Sequence, residues 1–207
     1  MRNAFLYELS NQVGQWAVGT QFVELFNDTN GGEIGGNDYF GVYTFMEKIE
    51  VDNNRVDIAK IDPWENGEEE RTGGFIFKND RPDPGEPTFS VSGFQRSMVY
   101  VDPDGLDATS EQRIFLQTYA NEVTSALRQS NGIHPTTGLH FTDYLDVDSF
   151  IDHFWLNLLA MVPDWGRLCQ FFHKDRNGKI IAGPIWDYDR TMGSRSARMM
   201  TKPILSR

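Results

Sequence analysis

Two carboxylates stand two residues apart in Gly183-Pro184-Ile185-Trp186-Asp187-Tyr188-Asp189-Arg190-Thr191-Met192-Gly193, directly after an apolar run. Asp-x-Asp behind a buried strand suits a hard divalent cation, because Mg²⁺ takes oxygen ligands and is commonly held by one or two carboxylates plus substrate phosphates. The same residue types also make ordinary turns after strands, so the pair has a purely structural reading too. A third acid, Asp164, follows Pro163, 23 residues before Asp187 and just past a helix-like stretch. Between them, Phe171-Phe172-His173, a Lys174-Asp175-Arg176-Asn177-Gly178 turn and the run 179–185 predict a β-hairpin that folds both acids toward one cleft. An orienting carboxylate, a metal-binding carboxylate and a lysine on the phosphates are a workable minimum for phosphoryl transfer, which needs mainly positioning and charge neutralisation.

The lysine must come from the strands upstream. Residues 2–13 place Phe5, Leu6, Leu9 and Val13 at helical spacing before Gly14, and residues 21–26 and 39–49 read as strands around an Asn/Gly-rich turn. Alternation in the second strand puts Glu47 beside Tyr43, Phe45 and Ile49. A carboxylate on such a face needs a partner. Lys78, at the end of a strand over 73–78, is the candidate; the alternatives are a base on a neighbouring strand or an exposed edge. Residues 62–71 and the proline-broken stretch 79–93 read as loops. Thr109-Ser110-Glu111-Gln112 is a capping box for a helix carrying Phe115, Tyr119, Val123, Ala126 and Leu127. Asp148 offers an N-cap to a second helix, whose Phe150, Ile151, Phe154, Trp155, Leu158 and Leu159 form one broad apolar face. The expectation is an α+β chain with a sheet-rich lobe within 1–104, preceded by the short helix, and a helix-rich lobe over 105–207.

Composition narrows the function. With 30 acidic against 19 basic residues the chain carries a formal charge of −11, which disfavours a nucleic-acid partner and favours a basic protein substrate. No membrane-spanning run or signal peptide is visible, and the single Cys169 rules out an internal disulfide framework. His134, His140, His153 and His173 are dispersed without zinc-ligand spacing, and neither a nucleophile elbow nor a phosphate-binding Gly-x-x-x-x-Gly-Lys loop is present. A bound nucleotide would therefore rely on Lys78, the metal and a glycine-bearing turn such as 31–36. Trp186 would stack on the adenine or fill core beneath the turn, and Asp189 would join Asp187 on the metal or brace Arg190.

Gly41-Val42-Tyr43 with Glu47-Lys48-Ile49, Arg55-Val56-Asp57-Ile58, Thr72-Gly73-Gly74-Phe75-Ile76-Phe77-Lys78, Asp146-Val147-Asp148-Ser149-Phe150, Lys174-Asp175-Arg176 and Gly183 through Asp189 resemble, in order, the CotH (spore coat protein H) kinase family. The resemblance implies an atypical protein kinase-like fold, ATP with Mg²⁺ or Mn²⁺, and phosphorylation of Ser/Thr in a protein substrate, which together with the chain's charge suggests a basic, Ser-rich one. It also implies that Asp164 and Asp187 are the essential acids, and it points to a spore-coat, cell-surface or secreted setting. The family also covers surface adhesion proteins, and kinase-like sites host other ATP-dependent transfers; these are the rival expectations. Arg2-Asn3 resembles a motif from inside the family domain, so the chain reads as a partial domain. Many members carry Asn or Ser at the position of Cys169, which weakens a second metal position, since a thiol supplies no oxygen, and Asn at that of Val162, which reduces polar support for the loop.

Overall fold

The computed structural model describes residues 1–193. Helix α1 (Arg2–Gln12) leads into a ribbon of β1 (Thr20–Phe26) and β2 (Tyr39–Met46), paired antiparallel and joined to no other strand among the described residues. There follow β3 (Phe75–Asn79), β4 (Thr88–Phe89), β5 (Met98–Asp102), α2 (Ser110–Leu127), the short α3 (Phe141–Tyr144), α4 (Val147–Ala160), β6 (Gln170–Lys174) and β7 (Ile180–Ile185). The second sheet is antiparallel, in the order β4-β5-β3-β6-β7. No described helix is long and apolar enough to cross a membrane.

Alternation along β3 builds a layer on each side of that sheet. Phe75 and Phe77 face a core with Leu116, Ala120, Val123 and Ala126 of α2, while Ile76 joins Leu6 and Tyr7 of α1, Leu156 and Ala160 of α4, and Ile185. The α+β expectation is met. Strands from both sides of residue 104 share one sheet, β3 and β5 from before it and β6 and β7 from after it. Residues 194–207 of the expected second lobe lie outside the described residues.

The β6–β7 hairpin is locked against the strand beside it. At Gly73, just before β3, an added Cβ would lie 2.1 Å from the Asp175 backbone, so only glycine lets the hairpin turn approach this closely. The Asp175 carboxylate accepts from Ala59 N–H at 2.8 Å. Lys174 is fully buried, with its ammonium over the Tyr119 ring at 4.5 Å and near Phe115 at 5.4 Å, and it donates to the carbonyls of Thr72 and Asp175. Burial lowers its pKa to about 8.

The helices depart from the sequence pattern in one instructive way. α2 starts as expected, with reciprocal Thr109 and Gln112 capping bonds at 3.3 and 3.1 Å. α4 is capped by Asp146, whose Oδ1 accepts from Ser149 N–H at 2.9 Å, two residues before the Asp148 expected. More importantly, α4 buries Ser149, His153, Leu156, Asn157 and Ala160, and its broad apolar face points outward. Small and polar residues face β7 because the Ser149 hydroxyl accepts from Ala182 N–H at 3.0 Å, a bond that needs close backbone approach.

His153 is buried, with neither ring nitrogen hydrogen-bonded, and burial lowers its pKa from 6.5 to about 4. Between these values the unfolded chain binds a proton that the folded chain refuses, so stability is full above pH 6.5 and lost as pH falls toward 4. We expect this to cost up to about 3 kcal/mol by pH 4. Urea unfolding from pH 7 to 4 should show that slope, and His153→Leu should flatten it.

Candidate functional site

Strand register assembles the site. Asn79 of β3 pairs with Gln170 of β6, and Gln170 pairs with Ile185 of β7. The residues just beyond these pairs, Asp80, Cys169 and Asp187, therefore meet at one end of the sheet. Cys169 and Asp187 both adopt left-handed backbone, at φ 58° and 61°, where the chain leaves the strands. Such conformations cost free energy for residues other than glycine and concentrate at functional sites. The Cys169 thiol donates to Asp187 Oδ2 at 3.4 Å. Behind them, Asp187 N–H donates to the Tyr7 hydroxyl at 3.2 Å, which ties the acidic turn to α1.

Asp164 arrives from the other side. α4 ends in left-handed Met161, and Ala160 carbonyl accepts from Met192 N–H at 2.8 Å, so the segment after α4 and the segment after Asp189 run together. The Asp164 carboxylate is held by Arg167 and, at 3.4 Å, by Arg190. Arg190 thus connects the first expected acid to the turn that carries the second.

The electrostatics are those of negative charge in excess. The pKa of Asp187 is raised, first by desolvation and then by Asp189 and Asp80, although the Cys169 thiol acts the other way. Asp187 and Asp189 lie within side-chain hydrogen-bonding reach of each other. The Cys169 thiol is pushed up by burial and by the negative charges of Asp80, Asp187 and Asp164. A carboxylate with further carboxylates nearby fits a cation, which would neutralise the excess charge. Among the described residues no three His, Cys, Asp or Glu side chains converge on a metal position of their own. Asp187 and Asp189 would thus hold a divalent ion only with oxygens brought by a ligand, the usual Mg²⁺ arrangement.

Lys78 sits at the same end of the sheet, opposite Phe171 and Val99. Its carboxylate partner is Glu86, 3.6 Å away, and not Glu47. Glu47 lies past β2, exposed, and accepts from Gly19 N–H at 2.6 Å; β2 and β3 belong to different sheets, so the expected ion pair does not form. Trp186 takes the core alternative: Tyr7 stacks against it at 6.3 Å and 12°, and Phe171 meets it edge-on at 6.2 Å. The glycine turn 31–36 lies in the connection between β1 and β2. Sequence reasoning missed Asp80, Tyr7, Arg167 and Glu86. Asp80 and Glu86 fall in a stretch that reads as a proline-rich loop, and only the β3–β6 register reveals Asp80's position.

With this geometry in view, the comparison with known families is direct: the family model described as CotH kinase protein matches residues 1–205, and the chain belongs to that family. No curated protein and no solved structure matches the chain.

Tyr7→Phe removes the acceptor for Asp187 N–H. It should cost about 1 kcal/mol in denaturant unfolding with an unchanged circular dichroism spectrum. An unaltered midpoint would mean the hydroxyl does not position the turn.

Proposed function

We propose that this chain transfers a phosphoryl group from ATP to a Ser or Thr hydroxyl of a protein substrate. The supporting observation is that Asp187 accepts from Cys169 at the end of the hairpin while Asp164 is ion-paired to Arg190, three residues beyond Asp187 in the same turn. Asp187, with Asp189, takes the metal position, where Mg²⁺ or Mn²⁺ would neutralise nucleotide phosphate charge. Asp164 accepts the hydrogen bond of the incoming hydroxyl and aims it in line with the phosphoryl group; Arg167 and Arg190 keep its carboxylate oriented. Lys78, braced by Glu86, lies at the end of the sheet from which a lysine would reach phosphate. The excess negative charge of the chain favours a basic substrate segment and raises its encounter rate. The family's kinase description supports the same class of reaction.

The division of labour between the acids is testable. ATP with Mg²⁺ near a hundredfold excess over Kd should stabilise the protein by about 2.7 kcal/mol, a rise of several degrees in Tm. Asp187→Ala should abolish that rise. Asp164→Ala should keep it while lowering transfer to a basic Ser-rich peptide by at least about 100-fold. Intact mass of the product should show one added phosphoryl group; a nucleotidyl adduct, or equal loss of nucleotide binding in both variants, would contradict the assignment.

A further inference from the structure

The chain holds Asn-Gly at four places, 30–31, 66–67, 131–132 and 177–178. An asparagine before glycine can react with its own backbone, because the next main-chain nitrogen is one ring closure from the side-chain amide carbon and glycine puts no Cβ in the way. Closure needs a base on that N–H, a donor on the amide oxygen where charge develops, and an amide free to turn. The structure tells the four places apart. At Asn66, Nδ2 donates to the Pro63 carbonyl at 2.9 Å and Oδ1 accepts from the Thr109 hydroxyl at 2.6 Å, so the amide is pinned at both ends. Asn177 is pinned likewise, by Glu69 at 3.0 Å and Thr72 at 3.2 Å. At Asn131 the next N–H, that of buried Gly132, donates to the Gln129 carbonyl at 3.0 Å, which is no base.

Asn30 differs on each count. Asp28 Oδ1 accepts from the Gly31 N–H at 2.8 Å, within the reach of a general base. Gly32 N–H donates to Asn30 Oδ1 at 2.7 Å, the atom on which negative charge would collect. Asn30 Nδ2 makes no hydrogen bond among the described residues, and residues 28–33 are all exposed, so water reaches the turn. We infer that the turn between β1 and β2 is a self-modifying site, at which Asn30 becomes aspartate and isoaspartate. Asp28 takes the proton from the Gly31 nitrogen, that nitrogen bonds to Asn30 Cγ, and the Cγ–Nδ2 bond breaks. The proton leaves with Nδ2 as ammonia, and a cyclic imide remains. Water then adds to either imide carbonyl and opens the ring, which restores the Gly31 N–H. Each conversion adds an acid beside Asp28 and Glu33, and the isoaspartyl product routes the main chain through Cβ. The inference stands apart from the phosphotransfer reading and is read out without nucleotide.

The intact chain, aged at neutral pH and then digested, tests it by peptide mass and by enzymatic methylation of isoaspartate. In the folded protein Asn30 should convert at least about tenfold faster than Asn66, Asn131 or Asn177. In urea the four rates should converge, because the reacting dipeptide is the same. Asp28→Asn should slow conversion at Asn30 by about tenfold or more in the folded protein and leave its rate in urea unchanged. Equal rates at the four places in the folded chain, a ranking that persists in urea, a product without isoaspartate, or an Asp28→Asn chain that converts as fast as the unaltered one would overturn the inference.

Discussion

The pairing of β3 with β6 is the constraint on which everything else depends. It is the seam between the two halves of the chain, and its register decides which residues emerge at the end of the sheet. With Asn79 opposite Gln170, the neighbours that emerge are Asp80 and Cys169, and β7 adds Asp187 beside them. A one-residue slip would turn Phe75 and Phe77 away from α2 and disperse the acids at the same time. Fold stability and site assembly therefore rest on one set of backbone hydrogen bonds, and the two cores on either side of β3 fix that set by burying alternate side chains.

The site that results is under electrostatic tension. Asp187 lies near Asp189 and Asp80, and its left-handed backbone adds conformational cost. Asp164, by contrast, is held between two arginines. The two acids thus occupy different environments: one is poised to gain from a cation, the other already has its counter-charges. That asymmetry would suit the proposed division between a metal-binding and a substrate-orienting acid, and it arises from the hairpin on one side and the end of α4 on the other.

Local signals in the sequence were readable, while choices of partner were not. The Thr109 and Gln112 capping box and the β6–β7 hairpin follow from spacing and turn chemistry, which act over a few residues or one hairpin. The Glu47–Lys78 pair failed because alternation along a strand says which face a residue takes but not which sheet the strand joins. The Asp80 position was hidden for the same reason. α4 misled differently: its apolar residues look like a core face, yet Ser149 and Asn157 face inward because β7 comes close enough to hydrogen-bond the helix. Hydrophobic spacing identified the helix and pointed its surface the wrong way.

The glycine at position 73 bears on how such a site moves. With the hairpin turn pressed onto the backbone before β3, the strands that deliver Asp187 have no freedom to tilt as a unit. The side of the site that carries Asp187 is therefore tied to the sheet, whereas the segment after α4 and the loop after Asp80 are not part of that hairpin. If the chain transfers phosphate as proposed, Asp187 would act as the anvil of the reaction, held still by a hairpin that a single glycine lets lie against its neighbour.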